Sequence, residues 1–272
     1  MKTRIISGTV LCLILVLIVV MNGIFPLFLN IVIALMTVIG THEICRVFGM
    51  TDKLSVYLPS LAAAAAVPFA LMLDWGLLLV YSVYTVLVFF AVLREYETLK
   101  FTDVIPVYAM TVLVPMALGM IVSIRDVDSD FGIFYSMVAI LGTWIADAGA
   151  YFTGSFLGKH KLCPKISPKK TVEGFAGGIV VTIIATLLSG LLFNLLYHPE
   201  NIGMHYAVLG VSGLCIGLIS VVGDLTFSII KREKGIKDYG NLIPGHGGIL
   251  DRFDSVIFVT PFVYLMLRIF GI

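Results

Sequence analysis

MKTRIISGTVLCLILVLIVVM (Met1–Met21) opens the chain with two basic residues followed by an apolar run. A secretory leader also has a basic start and an apolar middle. Three features favour a retained helix instead. The run is about as long as a membrane crossing, no small-x-small cleavage site follows, and a second apolar run begins just beyond Asn22-Gly23 and Pro26. A spanning helix needs about 20 mainly apolar residues. Scanning outward on that rule gives nine expected spans, at 5–22, 25–41, 55–73, 76–93, 103–123, 132–153, 174–197, 205–229 and 255–271. The expected fold class is all-α, a polytopic integral membrane bundle of about nine transmembrane helices.

Composition agrees. The chain is 59% hydrophobic and only 13% charged, with a mean hydropathy of +1.05. A soluble domain carries about a quarter charged residues, so this outer surface is built to face lipid. The net charge of +1 says little about partners, and no nucleic-acid partner is expected. The cysteines Cys12, Cys45, Cys163 and Cys215 form no close pair and no CxxC, so neither a disulfide framework nor a zinc site is expected.

The basic residues orient the bundle. With nine spans, the N-terminus and the even-numbered connections share one face. That face collects Lys2, Arg4, Arg46, Lys53, Arg94, Lys100, Lys159, Lys161, Lys165, Lys169, Lys170, Lys231, Arg232, Lys234, Lys237 and Arg252. Of the 18 lysines and arginines only Arg125 and Arg268 fall on the other. Positive charge is retained on the cytoplasmic side, which places the N-terminus inside and the C-terminus outside. The two longest polar connections, 154–173 and 230–254, are then cytoplasmic. The expected division is 1–131, transmembrane helices for scaffolding or lipid access, and 132–272, the catalytic region.

Chemistry-bearing residues concentrate in that second part. Asp147 and Tyr151 sit one turn apart on one helix face. An ionisable residue at membrane depth is costly and suggests function, although an interfacial aspartate is the bland alternative. Ala150, Gly154 and Gly158 form a small-residue stripe that permits close helix packing. Ser167-Pro168-Lys169-Lys170-Thr171 then precedes Glu173-Gly174, with Thr171 able to cap the next helix. Two lysines, two hydroxyls and a helix N-terminus suit a polyphosphate, while a positive-inside loop with a cap is the plainer reading. Asp224 and Ser228 share a face, Lys231-Arg232 and Lys237-Asp238 follow, and PGHGGILDRFD (Pro244–Asp254) ends with Asp251 and Asp254 spaced i,i+3. Paired carboxylates beside a basic loop suit magnesium, which binds one or two carboxylates plus phosphate oxygens. Helix N-terminal charges beside a turn are the alternative, and they leave Asp224, His246 and the basic run unexplained.

Ser228–Asp254 reads SIIKR, four residues, KDYG, two residues, IPGHGGILDRFD, and this resembles the signature of the phosphatidate cytidylyltransferases. The upstream TW..D...Y and SPKKT.EG elements resemble the same family, so the likeness covers roughly 140–255. The resemblance implies that CTP and phosphatidic acid give CDP-diacylglycerol and pyrophosphate in phospholipid biosynthesis, with magnesium and a membrane-embedded substrate. A monovalent cation and a homodimer are further expectations, as is a bacterial-type plasma membrane. In this scheme Asp224, Asp251 and Asp254 form the metal site, with Asp147 a further ligand or a polar group near it. Lys169 and Lys170 hold the CTP phosphates, helped by Ser167 and Thr171, and Tyr151 lines the nucleotide pocket. Lys231, Arg232, Lys237 and Arg252 serve the lipid phosphate or the pyrophosphate, and His246 either donates to a phosphate oxygen or shapes the turn.

Two readings compete with this one. A CTP-dependent polyprenol or dolichol kinase-like enzyme would phosphorylate a lipid alcohol. A transporter could use intramembrane Asp147 and Asp224, but no internal repeat is visible and the polar residues gather at one face. The DxxDGxxAR element of transferases that consume CDP-diacylglycerol is absent.

Overall fold

The computed structural model describes residues 2–197, 205–242, 244–245 and 247–270. Its elements run α1 (Lys2–Ile24), α2 (Leu27–Val47), α3 (Leu54–Ala70), α4 (Gly76–Arg94), α5 (Phe101–Arg125), α6 (Gly132–Leu157), β1 (Lys161–Cys163), β2 (Ser167–Thr171), α7 (Val172–Tyr197), α8 (Tyr206–Glu233) and α9 (Leu250–Ile269). Among the described residues each expected span has its helix, in order. Six of them (α2, α4, α5, α6, α7 and α8) are long and apolar enough to cross a membrane. This is an all-α polytopic membrane protein. α3 is short at 17 residues, and α9 carries Asp251, Arg252, Asp254 and Arg268.

Two boundaries move in ways that matter. The connection expected at 154–173 is mostly ordered structure: α6 continues to Leu157, and β1 pairs antiparallel with β2, Lys161 opposite Thr171 and Cys163 opposite Ser167. SPKKT is therefore a strand of a hairpin. α9 begins at Leu250, so Asp251 lies in its first turn and Asp254 at the start of the second.

The chain forms two compact units. The first comprises residues 1–123 with 236–253, so the signature loop and the first residues of α9 group with the N-terminal helices. Its helices are joined by polar groups as well as apolar ones. Pro68 has no N–H to give the carbonyl of Ala64 one turn back, and the Thr37 hydroxyl donates to that oxygen at 2.8 Å instead. Asn30 Nδ2 donates to the Pro68 carbonyl, also at 2.8 Å. In an apolar medium such carbonyls have no water to fall back on, so α2 supplies the donors that α3 lacks.

The second unit comprises 124–235 with 254–272. Its core gathers Phe134, Tyr135 and Val138 of α6, Leu209 and Ile216 of α8, and Val259 and Val263 of α9. Here small residues set the spacing. A Cβ on Gly178 of α7 would stand 2.9 Å from the Ala146 carbonyl of α6, and one on Gly174 would stand 2.6 Å from that of Ala150. Gly213 and Gly217 of α8 approach the backbone of α7 at Ile183 and Ile179 in the same way. Helices in lipid gain their association from such close packing, which the stripe on α6 permits.

Candidate functional site

In the second unit α6, the β-hairpin, α7 and α8 enclose a cleft of about 550 Å³. Seven residues expected to act together line it: Asp147 and Tyr151 of α6, Ser167, Lys169, Lys170 and Thr171 of β2, and Asp224 of α8. Lys161 of β1 joins them, a position that no motif singled out.

Local structure explains each placement. Strand pairing presents β2 to the cleft, and Thr171 ends the strand and starts the helix: its hydroxyl accepts from the Gly174 N–H at 3.1 Å, an N-cap of α7. Gly154, on the α6 stripe, leaves room for that cap, because a Cβ there would stand 2.7 Å from Thr171 Oγ1. Glu173, in the first turn of α7, accepts from the N–H groups of Lys159 (3.0 Å) and His160 (3.2 Å), and its other oxygen contacts His160 Nδ1 at 2.6 Å. One carboxylate thus ties the entry of the hairpin to α7.

Charges of both signs meet at the cleft. Lys170 Nζ forms an ion pair with Asp224 Oδ2, and each side chain is 24% exposed. Asp254 is buried, accepts from the Ser255 N–H at 2.7 Å, and has Asp224, Lys231 and Asp147 as its electrostatic neighbours. Gly223 lets α8 come this close to α9, since a Cβ there would stand 2.7 Å from the Asp254 carbonyl. Arg232, at the end of α8, reaches the hairpin turn and donates from Nε to the Ile166 carbonyl at 3.5 Å.

The signature loop is organised within the first unit. Asp251 Oδ2 accepts from the N–H groups of Tyr239 (2.7 Å) and Gly248 (2.9 Å). The Tyr239 carbonyl in turn accepts from the Arg46 guanidinium of α2. Glu43, also on α2, accepts from the N–H groups of Ile249 (3.0 Å) and Leu250 (2.9 Å). Gly245 and Gly247 have φ of +78° and +89°, a region glycine enters without strain. Gly248 is needed for another reason: its Cβ would stand 2.2 Å from Glu43 Oε1. The glycines of PGHGG therefore serve the turn and a carboxylate of the protein itself. Sequence reading missed Glu43, although a lone acid near the end of an apolar run is the available signal. Lys237 is exposed and Arg252 half-buried, while His246 lies outside the described residues.

Among the described residues no three acidic, histidine or cysteine side chains gather closely enough to hold a metal by themselves. Magnesium does not require that. One or two carboxylates suffice where phosphate and water complete its shell, and the hard oxygens of Asp224 and Asp254 fit such an ion.

The sequence model of the cytidylyltransferase family matches residues 2–270. The phosphatidate cytidylyltransferase of Bacillus subtilis (strain 168) is 38% identical over 175 residues, covering 64% of this chain and 62% of the relative. Those of Staphylococcus aureus (strain COL) and Staphylococcus saprophyticus are 42% and 40% identical over 136 residues, half of each chain. The aligned stretches thus span 62% or less of these relatives' own lengths. A match that runs nearly end to end, on a chain whose cleft carries the expected lysines and carboxylates, decides the question: the chain belongs to the cytidylyltransferase family.

Proposed function

We propose that this chain transfers a cytidylyl group from CTP to phosphatidic acid, giving CDP-diacylglycerol and pyrophosphate. The observation that carries the reading is the convergence of Lys169, Lys170, Asp147 and Asp224 on one cleft of the second unit. An oxygen of the lipid phosphate attacks the α-phosphorus of CTP, a new P–O bond forms, and the bond to the β-phosphate oxygen breaks as pyrophosphate leaves. A phosphate monoester is already anionic near neutral pH, so the protein supplies position and charge more than proton abstraction.

Lys169 and Lys170 hold the triphosphate, with Ser167 donating a hydroxyl and Tyr151 bordering the nucleotide. Thr171 serves mainly by holding the strand and helix in register. Lys231 and Arg232 of α8, and Lys237, His246 and Arg252 of the signature loop, neutralise the lipid phosphate or the departing pyrophosphate. Asp224 and Asp254 would hold magnesium, with Asp147 nearby, and magnesium held there would supply charge neutralisation to the phosphates. Asp251, whose Oδ2 is occupied by two backbone N–H groups, shapes the loop.

The nine helices cross a bacterial-type plasma membrane with the N-terminus and the cleft on the cytoplasmic side. Residues 1–131 provide lipid access or association between copies. The test is incubation of purified protein in detergent with CTP, phosphatidic acid and magnesium. CDP-diacylglycerol and pyrophosphate in equal amounts support the reading. CDP with a phosphorylated lipid alcohol from a polyprenol substrate would replace it with the kinase-like reading.

A further inference from the structure

Glu43 is the only acidic residue in the first 51 positions, and it is 3% exposed. A buried carboxylate is costly unless its oxygens are hydrogen-bonded, so its partners show what it is for. Oε1 accepts from the Ile249 N–H and Oε2 from the Leu250 N–H, two donors at the start of α9 that have no partner within the helix. Its negative charge also suits the positive end of the helix dipole. Gly240 and Gly248 both press on this carboxylate, a Cβ on either standing 2.2 Å from Oε1. One turn further along α2, Arg46 donates to the Tyr239 carbonyl, and Asp251 accepts from the N–H of the same residue. Tyr239 is fully buried, and its peptide groups are held from both sides.

We propose that Glu43 is a positioning residue for the reaction. It clamps both arms of the signature loop, at Gly240 and at Gly248–Leu250, and so fixes the first turn of α9, which carries Asp251 and Arg252 and leads into Asp254. It touches neither substrate nor metal. The spacing of glycines in the signature is set by this carboxylate, 206 residues away in sequence from the first amide it binds. The inference rests on the function proposed above, and adds a residue that lies outside every motif.

The experiment uses E43A, E43Q, G248A and the double variant E43A/G248A, purified in detergent. kcat and KM for CTP are measured with phosphatidic acid, together with amide hydrogen exchange over 239–251. E43A should lower kcat on the order of 10- to 100-fold, as small displacements of reacting groups do. KM for CTP should change by less than about threefold, because Lys169 and Lys170 are untouched. Exchange at 248–250 should quicken, and E43Q, which keeps one acceptor oxygen, should recover part of the rate. G248A should act like E43A, and the double variant should be no worse than the poorer single, since both remove the same contact. E43A with wild-type kcat, or losses that multiply in the double variant, overturns the proposal. If E43A does not fold, G248A with native kcat and native exchange overturns it alone. A wild-type protein that makes no CDP-diacylglycerol defeats the proposed function instead, and exchange at 248–250 in E43Q still decides whether the clamp exists.

Discussion

Lys170 of β2 and Asp224 of α8 form an ion pair at the cleft, 54 positions apart in sequence and each three-quarters buried. A partly buried pair contributes little net stability, because desolvation offsets the attraction. On the proposed function, the pair holds a cation and a carboxylate where a triphosphate and a metal exchange for them. K170M should therefore raise KM for CTP by about tenfold or more, and D224N should reduce kcat by on the order of 100-fold. The double variant K170M/D224N should lose less than the product of the two. Steady-state kinetics at varied CTP check this, and strictly multiplicative losses would show that the two residues act independently.

Glu173 and the hairpin give a second prediction. Its carboxylate accepts from the Lys159 and His160 N–H groups and contacts His160 Nδ1. E173A leaves those amides without their acceptor and should lower the melting temperature. It should also raise KM for CTP several-fold by loosening the strand that carries Lys169 and Lys170. H160A should have a much smaller effect, because the His160 ring is 79% exposed and an exposed pair contributes little to stability. Thermal unfolding in detergent, read beside the CTP dependence of the rate, separates the two variants.

Long apolar runs were enough to expect each of the nine helices found among the described residues, six of them long and apolar enough to cross a membrane, because such a run leaves a strong signal. The β-hairpin left none: its strands have three and five residues, lie between basic positions, and take their geometry from pairing and from Glu173. The cleft residues Asp147 and Asp224 were legible as polar residues where polarity is costly, and Lys170 as one of a pair of lysines before a helix N-terminus. Glu43 showed only as a lone acid near the end of an apolar run, and its role was not legible, since it comes from amides more than 200 positions away. The glycines of PGHGG pointed to a tight turn, but a close approach by an unknown group could be read equally well as phosphate or as protein.

The interface between α6 and α7 is set by backbone-to-backbone approach, which predicts where bulk is not tolerated. A Cβ at Gly178 would stand 2.9 Å from the Ala146 carbonyl, whereas one at Gly49 meets nothing within 4 Å but sits at a φ of +69°. G178V should destabilise by about 1–3 kcal/mol through overpacking and should widen the cleft that both helices border. G210A, with a single contact at 3.9 Å, should be close to neutral. Melting temperatures in one detergent compare them, and equal stability of G178V and G210A would contradict the packing argument.

The two signature aspartates should part company when magnesium is removed. Asp254 has Asp224 and Asp147 as like-charged neighbours and Lys231 as an opposing one, so a divalent cation bound there would relieve repulsion. Asp251 already has Oδ2 occupied by the Tyr239 and Gly248 amides. Magnesium at about 100 times its Kd should stabilise the wild type by about 2.7 kcal/mol, seen as a rise in Tm that EDTA reverses. D254N should lose most of that rise, because it removes a ligand charge. D251N should keep it, since the asparagine carbonyl can still accept from the loop amides, while its kcat falls through a looser loop. A Tm that responds to magnesium equally in the wild type and in D254N would remove Asp254 from the metal site, and a response lost in D251N instead would transfer the role to Asp251.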